Sequence, residues 1–169
     1  MVSKAADLTA PERAGEYRML IGGELETSSQ WLDVLNPATG EKFVSVPRAS
    51  PAQLEKAVAA ANDAFKSWSL TTIEQRRAKL VQLADRIKEN CARIAPVLTG
   101  EQGKPLVAAT QEIQAAEAFC RHFASLDLPV EIITESATQR VEMHRRPLGV
   151  VAAIAPIWRS EERRVGKEC

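Results

Sequence analysis

Along the chain, apolar side chains recur first in short alternating runs, then over three stretches at helical spacing, and finally in short continuous runs. Tyr17 to Leu25 is an apolar run broken by Gly22-Gly23, which predicts a strand followed by a tight turn, since glycine takes positive φ at little cost. The β-prone runs Trp31 to Leu35 and Lys42 to Pro47 flank Asn36-Pro37-Ala38-Thr39-Gly40-Glu41 and predict a hairpin around a turn-rich loop.

Ser50-Pro51-Ala52-Gln53 then carries three helix-start signals: a serine N-cap, a proline in the first turn and a glutamine placed to close a capping box. Leu54, Val58, Ala61, Phe65 and Trp68 follow at helical spacing and predict one apolar face. Thr72 with Gln75 repeats the capping-box signal before a longer helix. Its predicted buried stripe is Leu80, Leu83, Ile87, Cys91, Ile94 and Leu98, with a bend or interruption expected at Pro96, which lacks an amide donor. Gly100 and Gly103 bracket an expected stop. Lys104-Pro105 restarts the chain into a third helix carrying Leu106, Ala109, Ile113, Ala116, Cys120 and Phe123. Leu128 to Ile133 and Arg140 to Arg146 read as extended. Leu148 to Ala155 is continuously apolar, the form a parallel strand takes when both of its faces are covered. The first sixteen residues read as a flexible tail. Strands and helices in this order make a mixed α/β chain without internal repeats.

Composition narrows the function classes. The 169 residues hold 22 basic and 22 acidic side chains, so there is no positive surplus to drive binding to nucleic acid or an anionic membrane. At 45% apolar and 26% charged the chain has a globular composition, and no apolar run reaches the ~18 to 20 residues of a membrane span. The expected location is cytoplasmic. Cys91, Cys120 and Cys169 form an odd set with no CxxC pair, and His122 and His144 have no metal-type spacing. Neither a disulfide framework nor a metal site is expected, and both histidines read as ordinary surface or strand residues.

Motifs that carry phosphate loops, nucleophile elbows, zinc pairs or calcium loops are absent from the sequence. Gly100-Glu101-Gln102-Gly103-Lys104 has some phosphate-loop character. Pro105 directly after the lysine favours a helix stop with a turn. The doublet Arg145-Arg146 reads as strand-edge protection or an inter-subunit salt bridge.

Four segments, Leu20-Ile21-Gly22-Gly23-Glu24, Asn36 to Glu41, Glu101-Gln102-Gly103-Lys104-Pro105 and Arg146 to Pro156, stand in an order and at separations that closely resemble the amino-terminal part of NAD(P)-dependent aldehyde dehydrogenases. The resemblance runs from about Tyr17 to Pro156. It implies the amino-terminal portion of a doubly wound, Rossmann-type cofactor-binding domain, incomplete here, spanning residues 17–158. The implied order is hairpin, three helices, an oligomerisation strand at residues 140–147, and a first parallel strand at Val150 to Ala155. It implies a homodimer or homotetramer and NAD or NADP as cofactor. The adenosine side of that cofactor is implied to lie against Ile154, Ala155 and Pro156, just outside the carboxyl end of the first strand.

The mechanism implied for the family uses a cysteine thiolate that attacks an aldehyde, hydride transfer to the nicotinamide, and a glutamate that activates water against the thioester. An asparagine and a backbone N–H stabilise the oxyanion. The resemblance places the nucleophile, the glutamate and the glycine-bearing cofactor loop downstream of the part represented here, so no catalytic residue is assigned. The family's Pro-Trp-Asn order is also broken: the chain reads Pro156-Ile157-Trp158-Arg159. Arg159 to Cys169 is unlike the apolar run before it and resembles the translation of a sequencing-library adapter. The expected protein is therefore part of an aldehyde-oxidising enzyme, inactive on its own and marginally stable or aggregation-prone. The alternative from a different class is a short non-catalytic interaction or oligomerisation module.

Overall fold

A computed structural model describes residues 17–153. Its elements run β1 (Met19–Ile21), β2 (Glu24–Glu26), β3 (Gln30–Leu35), β4 (Lys42–Arg48), α1 (Pro51–Trp68), α2 (Ile73–Gln102), α3 (Leu106–Ser125), β5 (Glu131–Glu135) and β6 (Arg140–Met143). The strands pair only with their sequence neighbours, as three antiparallel hairpins: β1 with β2, β3 with β4, and β5 with β6.

The local signals act as their chemistry dictates. Gly22 and Gly23 take φ of 60° and 88°, the double positive φ of a two-residue turn matched to strand twist, and Ile21 pairs with Glu24 across it. Ser50 and Thr72 both close complete capping boxes, with Gln53 and Gln75 reaching back to the cap amides. These reciprocal bonds satisfy donors that the first helical turn would otherwise leave unpaired.

The core lies between α2 and α3, where Ala95, Ala109 and Ile113 are buried and Ile87, Cys91 and Leu98 pack against them. Here the structure corrects the expected stripe on α2. Leu83 is 49% exposed and Ile94 37% exposed, whereas Ala84 and Ala95 are buried. Ile87, Cys91 and Leu98 of the expected stripe do pack at the seam, and the correction is confined to Leu83 and Ile94, whose neighbours Ala84 and Ala95 are the buried residues. Polar links stitch the same seam. Arg77 donates to Leu126 O and Asp127 Oδ1, each at 2.5 Å, and Arg121 bridges Asp85 at 2.7 Å and Glu117 at 2.6 Å.

Several expectations fail in instructive ways. Of the bend or interruption expected at Pro96, the interruption does not occur, since α2 runs continuously to Gln102; the packing of Ala95 and Leu98 against α3 holds both sides of the proline. Gly100 lies inside the helix and is buried there, so it is no part of a stop. In α1 no residue is buried: Leu54 is 59% exposed and Trp68 46%. The extended segment at 140–147 is a strand only as far as Met143. Its partner β5 begins at Glu131, directly after Leu128-Pro129-Val130, where Pro129 has no N–H to continue a ladder.

The expected parallel strand at Val150 to Ala155 is likewise not formed over its described part, residues 150–153. A strand exists only through hydrogen bonds to a neighbour, and no described strand lies beside this run. Leu148 is 95% exposed, so an apolar run suited to burial here lacks a covering surface.

Candidate functional site

Of the four segments that carry the resemblance, the structure brings two together. Asn36 to Glu41 folds into a self-bonded loop. Asn36 Oδ1 accepts from Ala38 N at 2.9 Å, Asn36 O accepts from Gly40 N at 2.7 Å, and Asn36 N donates to Glu41 O at 2.8 Å. Gly40 takes φ of 74° within it. The loop spends its donors on itself, so its motif residues build a rigid turn and offer no anion cradle.

That turn meets the end of α2. Gly103 is the left-handed C-cap, with φ of 71° and its N–H donating to Thr99 O at 2.7 Å. A side chain at Gly103 would place its Cβ 2.6 Å from Pro37 Cγ, and one at Gly100 would come within 2.7 Å of the Phe43 ring. Two glycines thus let the β3–β4 hairpin sit directly on the last turn of α2. Lys104, the residue with phosphate-loop character, is paired with Glu112 of α3. Its charge closes the α2–α3 junction, in line with a helix stop.

The hairpin is fixed from below as well. Ser45, buried on β4, donates its hydroxyl to Asp33 Oδ1 at 2.6 Å, and Lys42 Nζ reaches the same oxygen at 2.8 Å. The Lys42 ammonium, then the Ser45 hydroxyl, hold the Asp33 carboxyl below the ordinary aspartate range. A carboxylate whose proton affinity is lowered by folding supports the fold above its unfolded pKa. That support is lost as pH falls through the depressed value. An NMR titration should therefore show Asp33 ionising below a free aspartate, with Lys42→Met moving it back up. An Asp33 that titrates normally in the parent chain would mean that this pair does not form in solution.

Away from that junction several titratable groups form ion pairs within or between elements. Arg145 bonds Glu131 at 2.5 Å within its own hairpin. Glu142 lies between Arg140 at 2.7 Å and His144 at 2.9 Å, and Arg140 leads the causes that lower its pKa. His122 is exposed on α3, edge to face with Phe123. Among the described residues there is no group of three or more His, Cys, Asp or Glu able to hold a metal.

Cys91 and Cys120 are half-buried free thiols. Cys91 lines a cavity of about 270 Å³ with Lys88, Ile113, Gln114 and Glu117, in the seam between α2 and α3. This is the place of a packing residue. Among the described residues neither cysteine stands in an arrangement that names it a nucleophile. No helix in the described residues is long and apolar enough to cross a membrane.

The positions implied to wall the cofactor, Ile154, Ala155 and Pro156, lie outside the described residues, as do residues 1–16 and the tail from Arg159 to Cys169. A dinucleotide needs a strand end, a close-approach glycine loop and a helix N-terminus pointing at its phosphates. The described residues do not fit that requirement: residues 150–153 have no ladder partner, and no described strand leads through a glycine loop into a helix that way.

Comparison with known proteins is specific all the same. The profile of the aldehyde dehydrogenase family matches residues 25–158. A probable aldehyde dehydrogenase from a Pseudomonas species is 40% identical over 149 residues, which is 88% of this chain and 30% of that protein. Among solved structures, an aldehyde dehydrogenase from Brucella melitensis biovar abortus 2308 superposes with a TM-score of 0.70 at 30% identity, over 75% of this chain and 27% of that one. A 3,6-anhydro-L-galactose dehydrogenase in complex with NAP superposes with a TM-score of 0.67 at 28% identity, over 76% and 28% of the respective chains. The chain thus spans about 30% of the length of the curated relatives it matches.

Proposed function

The chain belongs to the aldehyde dehydrogenase family, and from that premise we propose that it is the amino-terminal scaffold of an enzyme that oxidises an aldehyde to a carboxylic acid with NAD or NADP. The carrying observation is a family match over residues 25–158 on a chain that spans 30% of its Pseudomonas relative. In the complete enzyme the nicotinamide supplies the hydride acceptor. This chain's own residues contribute position: the Gly100 and Gly103 junction sets the β3–β4 hairpin against α2, and α2 packs on α3 through Ala95, Ala109 and Ile113.

In this reading Ile154, Ala155 and Pro156 wall the adenosine side of the cofactor once a neighbouring strand completes the ladder. The β5–β6 hairpin, all of β6 being exposed, is the element through which copies pair as a dimer or tetramer. The setting is cytoplasmic, with a small-molecule aldehyde as substrate and neither nucleic acid nor membrane as partner. The 169-residue chain itself is without turnover, because no described cysteine has a nucleophile's surroundings. The test is a spectrophotometric assay of the purified chain with NAD and NADP and a panel of aldehydes. We expect no reduced nicotinamide above the rate without protein; sustained turnover would overturn the scaffold reading.

The tail from Arg159 is read as foreign to the family sequence. Its encoding DNA should run AGA TCG GAA GAG from codon 159, and other codons there would remove the adapter reading.

A further inference from the structure

The β1–β2 hairpin meets α1 through few apolar atoms and a set of polar ones. Within β1 and β2 only Ile21 is buried, while Leu20 and Leu25 are exposed. The backbones come close at one point, where a Cβ on Gly22 would lie 3.4 Å from Ala60 Cβ. Two side chains of α1 then reach the hairpin. Gln53 Nε2 donates to Thr27 O at 2.8 Å and, at 3.4 Å, to Glu26 Oε2; Lys56 Nζ holds Glu26 Oε1 at 2.5 Å. Gln53 uses both ends of its amide, because its Oε1 accepts from Ser50 N at 3.1 Å and closes the capping box. Among the described residues Lys56 is the one cation within ion-pair distance of Glu26. Across the hairpin Glu26 pairs with uncharged Met19, and Glu24 is the other charge on β2.

We propose that the β1–β2 hairpin is a releasable strap: Glu26, Lys56 and Gln53 hold it on the start of α1 while Glu26 is ionised, and acid or salt lifts it without unwinding the helix. Lys56 is 61% exposed, so water and ions reach the pair. An exposed ion pair is weak, and that weakness makes the strap reversible where the apolar α2–α3 seam is not. The hydrogen bond from Lys56, against some desolvation and aided by Gln53, holds the Glu26 carboxyl below its ordinary range. The ionised form therefore supports the docked state above the unfolded pKa, and that support fades as pH falls through the lowered value. The helix start survives release, because the Ser50 and Gln53 capping bonds lie within α1 and its cap.

The test is NMR on the full 169-residue chain, reading the Overhauser contact between Gly22 and the Ala60 methyl group. Protection of the Leu54 amide reports the helix start, and contacts between Ala95 and Ile113 serve as reference. In the parent we expect the Gly22–Ala60 contact to weaken as pH falls through the Glu26 titration, and at about 1 M salt, where screening acts within ~3 Å. Leu54 protection and the reference should persist. Gln53→Glu should reverse the response to pH. Glutamate still accepts from Ser50 N, yet it sets a second carboxylate beside Glu26 and removes the donor to Thr27 O. The contact should drop by roughly half or more at neutral pH and recover on acidification, when one carboxyl regains a proton and with it a donor. Lys56→Met, the second variant, should remove most of the salt effect. A parent contact that is absent at neutral pH and low salt, or that ignores both pH and salt, overturns the proposal. So does a Gln53→Glu chain with the parent's pH response. Loss of Leu54 protection or of the reference together with the contact makes hairpin and helices one unit and equally overturns it. If Gln53→Glu does not fold, Lys56→Met decides, and a salt response unchanged from the parent sinks the strap.

Discussion

Gly103→Val is expected to destabilise the chain by about 2 to 5 kcal/mol, read as a lower midpoint in urea denaturation. Two costs add. An L-residue held in the left-handed region costs about 1 to 2 kcal/mol, and a β-branched one is worse placed there than alanine. The added Cβ must also displace the Pro37 ring, whose Cγ lies 2.6 Å from its position, and overpacking costs about 1 to 3 kcal/mol. The two are separable. Pro37→Ala removes Cγ and should relieve the steric part in the double variant, leaving the backbone part. A Gly103→Val chain that denatures like the parent would show that the αL cap and the Pro37 contact are not both present in solution.

Gly100→Leu is expected to cost about 1 to 2 kcal/mol net by a different route. Gly100 sits within α2 at ordinary helical dihedrals, so replacing glycine should by itself gain up to about 1 kcal/mol of helix propensity. The ring of Phe43, with Cε2 and Cζ at 2.7 Å from the new Cβ, reverses the sign. A double-mutant cycle with Phe43→Ala decides it. The pair should be less destabilised than the sum of the single changes by 1 kcal/mol or more, since removing the ring makes room for the leucine. Additive behaviour would show that β4 does not rest on this turn of α2.

These two glycines show where reading the sequence stops. As punctuation they look alike, and both were expected to end a helix. Gly103 does so, because a left-handed cap is a local backbone matter that a glycine before Lys104-Pro105 announces. Gly100 does not, because its reason is Phe43, a residue far away in sequence. The same division runs through α2. Apolar periodicity located the helix and roughly its inner side, yet it favoured Leu83 and Ile94 over Ala84 and Ala95, since large side chains dominate any hydrophobic pattern. The choice of alanines at the seam follows from how closely α3 approaches.

Polar interactions divide likewise. The capping boxes at Ser50 and Thr72 involve residues three apart and were legible from the sequence. The bridging of Arg121 between Asp85 and Glu117 needed two helices side by side, and the pairing of Arg145 with Glu131 needed a formed hairpin.

The sequence by itself determined the Gly22-Gly23 turn, the hairpin around Asn36 to Glu41, the capping boxes, the three helices and the family, because each rests on short-range backbone chemistry or on motifs written in consecutive residues; the pairing of β5 with β6 did not follow from it. Only the tertiary structure decided which helical faces are buried, why Gly100 must lack a side chain, and that residues 150–153 form no strand ladder. Burial and strand pairing are properties of two surfaces at once. The apolar run at Leu148 to Ala153 specifies a surface that seeks a partner, and the described chain holds no strand to pair with it.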